Sequence, residues 1–148
     1  MKKLVSLVLG SALLLGCAAQ DVVWNSSDQL DVAEATVVLE SNLWLDKMPT
    51  VGDDIKDTLH GALYLKSNAV LPAELDVETV TLKQGDQLWQ LTPDQFDLRT
   101  QDEHHWEVAF SQPFDVGSEE PIDVAVALTY QGMVKWLVQN QVTVDKVY

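Results

Sequence analysis

The sequence predicts an all-β protein, an antiparallel two-sheet sandwich of seven or eight strands. Three observations lead there. Apolar and polar residues alternate with period two through much of residues 35–148, as in strands with one buried face. Turn signals such as Gln84-Gly85-Asp86, Thr92-Pro93-Asp94 and Gln131-Gly132 separate the runs. No stretch of the same region carries a sustained helical period.

Taken in order, Val37, Leu39, Leu43 and Leu45 define one face of a first strand, with Glu40 and Asn42 opposite. Residues 48–54 break that run as a loop. Leu59, Gly61, Leu63 and Leu65 give a second strand, ended by Ser67-Asn68 and Pro72. Glu78, Val80 and Leu82 give a third, which turns through Gly85 into Leu88–Leu91. A short Phe96-Asp97-Leu98 run follows. Trp106, Val108 and Phe110 then alternate with Glu107, Ala109 and Ser111. Ile122, Val124, Val126, Leu128 and Tyr130 form the longest clean alternation, and Gln131-Gly132 predicts a hairpin into Val134–Val138. Gln139-Asn140 interrupts before a closing strand around Val142–Val144. This size and spacing suit an immunoglobulin-like sandwich that lacks the antibody disulfide, with a small barrel as the alternative.

The first residues are of another kind. Met1-Lys2-Lys3 is basic, Leu4–Leu15 is almost wholly apolar, and Leu14-Leu15-Gly16-Cys17 closes the run. The apolar stretch is short of the about 20 residues that cross a bilayer, and its layout is that of a secretory signal. Cys17 is the chain's one cysteine and stands at the cleavage boundary. The segment resembles bacterial lipoprotein signals with their lipobox. The resemblance implies removal of residues 1–16 and attachment of a diacylglyceryl group to the Cys17 thiol. It also implies a second acyl group at the new amino terminus, which suits firm anchoring because one acyl chain holds only marginally. Ala18 and Ala19, in place of an inner-membrane-retaining Asp, imply delivery to the outer membrane with the body facing the periplasm.

Three segments follow: a signal over 1–16, a lipidated tether over 17–34, and a sandwich domain over 35–148. The tether reading rests on the lack of periodicity in residues 18–33, although Val22, Val23 and Trp24 interrupt its polar run. Docking of those three on the domain is weighed against a place at the lipid interface.

The chain has 23 acidic and 9 basic residues, a formal net charge of −14, and Lys2 and Lys3 leave with the signal. No basic cluster offsets that charge, which excludes nucleic acid as a partner. With Cys17 acylated, disulfides, thiolate metal sites and cysteine nucleophiles are excluded together. Stability then rests on packing, for which five Trp, three Tyr and three Phe are useful material.

The candidate chemistry is sparse. His104 and His105 are adjacent, and neighbours on a regular strand point to opposite faces, so the pair does not chelate one ion. His60 shares a face with Tyr64 and Lys66 and reads as solvent-facing. Met48 and Met133 are isolated, unlike the clustered soft ligands of copper carriers. Asp53, Asp54 and Asp57 form an acidic loop, but Lys56 sits among them and no EF-hand spacing is present. No nucleophile elbow, zinc-protease helix or phosphate loop occurs. The expectation is therefore no enzyme, no cofactor and no metal. By parity Trp44 lies opposite Leu43 and Leu45, and Trp89 opposite Leu88. These two tryptophans are the candidate interaction residues, weighed against core packing for each. The expected role is that of a non-enzymatic module contacting an envelope protein, held to the membrane through Cys17. The alternative is a small-molecule or metal-ion binder.

Overall fold

The computed structural model describes residues 22–47 and 58–147. Cys17, Met48 and the acidic loop of Asp53, Asp54 and Asp57 lie outside these. The described chain is a two-sheet sandwich of ten strands, with a single 3-10 turn at Pro93–Gln95 as its one helical element. No helix among the described residues is long and apolar enough to cross a membrane.

The strands are β1 (Gln29–Val32), β2 (Ala35–Asp46), β3 (Thr58–Ser67), β4 (Asp76–Gln84), β5 (Gln87–Leu91), β6 (Asp97–Asp102), β7 (His105–Gln112), β8 (Ile122–Tyr130), β9 (Met133–Val142) and β10 (Val144–Val147). One sheet runs β1-β2-β3-β7-β6, with β10 also paired to β2. The other runs β5-β4-β8-β9. All pairings are antiparallel except β10 with β2, which is parallel.

The core follows from the alternation. Leu39, Leu43 and Leu45 of β2 face inward with Leu59, Leu63 and Leu65 of β3, and each is at most 1% exposed. Leu39 stands opposite Leu65, and Leu45 opposite Leu59. Val80 and Leu82 of β4 and Val124, Val126 and Leu128 of β8 supply the facing layer. A fully buried side chain of this size contributes roughly 1.5–3 kcal/mol, so this layer carries the stability. Gly61 sits in the inner row opposite Phe110. A Cβ built there would lie 2.2 Å from the Phe110 ring, so the ring occupies the space that a side chain at 61 would need.

Three local features depart from the sequence expectation. The strand count rises to ten: β1 falls inside the expected tether, and the short run at Phe96-Asp97-Leu98 extends into a full strand, β6. The β9 strand continues through Gln139-Asn140, and the break comes at Gln141, whose φ is 56°. The Gln141 amide donates to Asp123 Oδ1 at 2.8 Å, and the chain there passes from one sheet to the other. In β4 a register shift between Val77 and Thr79 puts Val77 inward beside Val80 and leaves Glu78 out of the alternation. The hairpin at Gln131-Gly132 has both residues at positive φ, 52° and 77°, as a tight twisted turn requires.

The folded body also begins before residue 35. Strand β1 pairs with β2 from Gln29 to Val32. Ahead of it, the Leu39 amide donates to the Asp28 carbonyl at 2.8 Å and the Val138 amide to that of Ser27 at 3.0 Å. Ser27 and Asp28 thus bridge the edges of the two sheets. Trp24 is docked, with Lys83 Nζ 5.3 Å from its ring centroid. The sequence hid this because the segment uses main-chain bonds and one aromatic ring, not a repeating apolar face.

Gln84, 7% exposed, fastens the loop between β7 and β8. Its Nε2 donates to the carbonyls of Gly117 (2.8 Å) and Glu120 (2.9 Å), and its Oε1 accepts from the Gly117 amide at 2.6 Å. Two outcomes are expected in urea denaturation. Gly61→Ala lowers the unfolding free energy by about 1–3 kcal/mol through overpacking against Phe110. Gln84→Ala lowers it by about 1–3 kcal/mol by leaving buried main-chain groups unpaired, and limited proteolysis should then cut within residues 113–121 first.

Candidate functional site

The parity that sends the leucines inward sends a second set of residues to the outer face of the first sheet. Trp44 on β2 stands directly opposite His60 on β3, which stands opposite Ser111 on β7. The Trp44 and His60 rings stack, with centroids 5.5 Å apart and planes 11° from parallel. His60 Nδ1 lies 2.6 Å from Ser111 Oγ. Directly opposed positions bring side chains close enough for these contacts, which explains why three residues distant in sequence form one wall.

A second wall lies two rungs away. Tyr64 stands opposite Glu107, and Glu107 opposite Arg99 of β6. Glu107 is 8% exposed, an unusual position for a carboxylate, and it has partners there. Gln101 Nε2 donates to its Oε1 at 3.1 Å, and Arg99 Nη1 lies 3.9 Å from its Oε2. Arg99 Nη2 is 4.0 Å from Asp97 Oδ2. Arg99 is itself exposed, so these ion pairs position more than they stabilise.

Between the walls stand Ala62 and Ala109, paired in register. Two methyl groups between rows of large side chains leave a trough. Its volume is about 450 Å³, and Asp94, Gln95 and Phe96 close the end beside β6. Three of its lining residues, Asp94, Asp97 and Glu107, are carboxylates against the single guanidinium of Arg99. The cleft suits a group carrying positive charge or several hydroxyls, with an apolar part against Trp44.

The two candidate tryptophans separate here. Trp44 is half-buried on the outer face and lines the cleft. Trp89 turns inward: it packs against the core and stacks on Phe114, centroids 5.6 Å apart. Its neighbour Leu88 points out instead and is 61% exposed. Leu91, two residues on from Trp89, is fully buried and fixes that parity. Trp44 and Trp89 therefore belong to different sheets and form no common surface.

His60 does not face plain solvent, because Trp44 and Ser111 hold it. His104 lies in the turn before β7 and its amide donates to Asp102 Oδ1 at 2.7 Å, while His105 sits edge-on to Tyr64. No group of three or more His, Cys, Asp or Glu among the described residues is arranged to hold a metal ion. A second cleft of about 430 Å³ lies around Ser118–Pro121 and Gln141–Lys146. Lys146 bonds Glu119 across it and holds that carboxyl below its ordinary range, which makes it a fastened loop junction.

Reading along the chain missed Ser111, Arg99 and Glu107 as site residues and took His60 for a solvent-facing one. The available signal was a pair of alanines at outward parity, but their adjacency depends on register between strands. Substituting Trp44 by Ala should cost about 1 kcal/mol, the scale of an exposed aromatic stack. Phe110→Ala should cost about 3–5 kcal/mol, because that ring fills core volume. Urea denaturation of both variants measures the contrast, and equal costs would place Trp44 in the core.

No protein-family model, curated protein or solved structure matches this chain.

Proposed function

We propose that the chain is a lipid-anchored outer-membrane component whose sandwich faces the periplasm and binds an extended, basic segment of another envelope protein, without catalysis. The anchor reading is supported by the likeness of Leu14-Leu15-Gly16-Cys17 to a lipobox. The binding reading rests on one observation: the cleft adjoins a free strand edge. Among the described residues strand β6 pairs on one side only, with β7, and all six of its residues are exposed. Asp97 and Arg99 belong both to that edge and to the cleft.

A partner strand added to β6 gains main-chain hydrogen bonds and sends alternate side chains along the cleft face. The carboxylates of Asp94, Asp97 and Glu107 favour a basic side chain, and Trp44 with His60 offers an apolar surface beside it. Charged residues on β6 and the register shift between Thr100 and Asp102 oppose indiscriminate pairing. Membrane confinement of both proteins raises their effective concentration.

The second reading is a small-molecule site in the same cleft, whose volume falls in the usual range for such sites. The cleft is an open trough on a sheet face, whereas small-molecule sites enclose most of the ligand, and this favours a protein segment. Thermal-shift screening with sugars, cationic metabolites and divalent metals separates the two, since a ligand bound to the native state raises its apparent melting temperature.

In intact cells, a photo-crosslinking residue at Thr100 should give a discrete protein adduct that Trp44→Ala abolishes. Adducts of equal yield from Gln90, on the opposite sheet, would defeat the reading. The Ser111–His60 contact is also the first requirement of a serine nucleophile. Absence of catalysis predicts that a fluorophosphonate probe leaves Ser111 unlabelled, and stoichiometric labelling there would assign the site to an enzyme.

A further inference from the structure

The outer face of the second sheet carries fully covered residues that point away from the core. Ala125 and Ala127 of β8 are 0% exposed, Val138 of β9 2% and Thr81 of β4 5%. Trp136 stands opposite Ala127, and Trp24 lies over the same face beside Lys83. Lys83 pairs with Leu88 across the β4–β5 ladder. Leu88 is 61% exposed and Val23, next to Trp24 in the chain, is 48% exposed.

This corner is where the described chain begins. Residues 18–21 alone separate Val22 from Cys17, a span of about 17 Å even at full extension. If Cys17 is acylated, as in the reading above on which this inference rests, its thioether lies at the lipid surface. The docked segment then cannot leave that surface by more than the thickness of one small domain.

We infer that Val23, Trp24, Lys83 and Leu88 form a membrane-apposed surface, so that the anchor fixes the orientation of the domain as well as its location. The residue types suit the lipid interface. Trp places an apolar ring with a polar N–H at headgroup depth, and Lys lays its methylenes along the apolar layer while its ammonium reaches phosphate. Leu88 and Val23 add apolar contact. With this face toward lipid, the outer face of the other sheet, with its cleft and β6, is turned to the periplasm. The rest of the acidic body is repelled by anionic lipid, which confines contact to this corner.

The acylated full-length protein offers a direct test. Once Cys17 carries lipid, Leu88→Cys supplies the single free thiol, and Thr100→Cys supplies the control on β6. Each is labelled with an environment-sensitive fluorophore and reconstituted into vesicles of phosphatidylethanolamine and phosphatidylglycerol containing brominated phosphatidylcholine. Quenching severalfold stronger at 88 than at 100, in protein that floats with the vesicles, is the expected result. Flotation with equal quenching at both sites would overturn the orientation while leaving the anchor intact. Failure to float would remove the anchor and the inference with it. A Val23→Ser/Leu88→Ser variant, altered only at exposed positions, should still float; with the fluorophore moved to Gln90→Cys in both backgrounds, it should quench less than its parent.

Discussion

The leucine rows shared by β2 and β3 are the constraint on which this molecule depends. Leu39, Leu43 and Leu45 on one strand and Leu59, Leu63 and Leu65 on the other are buried almost completely. Because side chains alternate with period two, a slip of one residue in either strand would carry its three leucines to the outer face. That cost fixes the register, and the register in turn sets everything on the opposite face. Trp44 meets His60, Ala62 meets Ala109, and Tyr64 meets Glu107 because the leucines behind them have no second place to go. The cleft is thus a by-product of core packing, its floor set by the same register that the core selects.

The two chain ends complete the same strand. Strands β1 and β10 both pair with β2, at Ala35–Val38 and Leu43–Asp46 respectively. The gap between them is filled by other means: the Ser41 amide donates to Gln139 Oε1 of β9 at 2.8 Å, and Ser27 and Asp28 bond across to the second sheet. The edge of β2 is thus taken up by two strands of four residues each, and short edge strands limit pairing with other chains. The β6 edge on the far side of the sheet carries charged residues and has no partner among the described residues. The difference between the two edges is compatible with the proposed pairing of β6 with another chain.

The proposed lipid anchor and the proposed sheet-edge recognition make compatible demands on this architecture. A sandwich has two outer faces. The N-terminal segment crosses one, whereas the cleft lies on the other. On that proposal an anchor reached from the first face leaves the second accessible. In the proposed arrangement the strong negative charge would act in the same sense, repelling the body from anionic headgroups except where Lys83, Trp24 and Leu88 interrupt it.

Strand class, most strand positions and the inward residues were legible in the chain, because period-two alternation is a local property of the polypeptide. The lipobox likeness was equally local, being carried by four consecutive residues. Local pattern failed where main-chain bonds and not apolar repeats made the structure: β1 inside a polar segment, the pivot at Gln141, the shift at Glu78. Alternation left Trp44 and Trp89 alike as candidates, and the neighbouring strands and loops distinguished them by placing His60 beside one and Phe114 beside the other. Alternation determines which side of its own strand a residue occupies. Which residues become neighbours across strands depends on register and on the placement of the chain ends, long-range pairings that only the packed core can select.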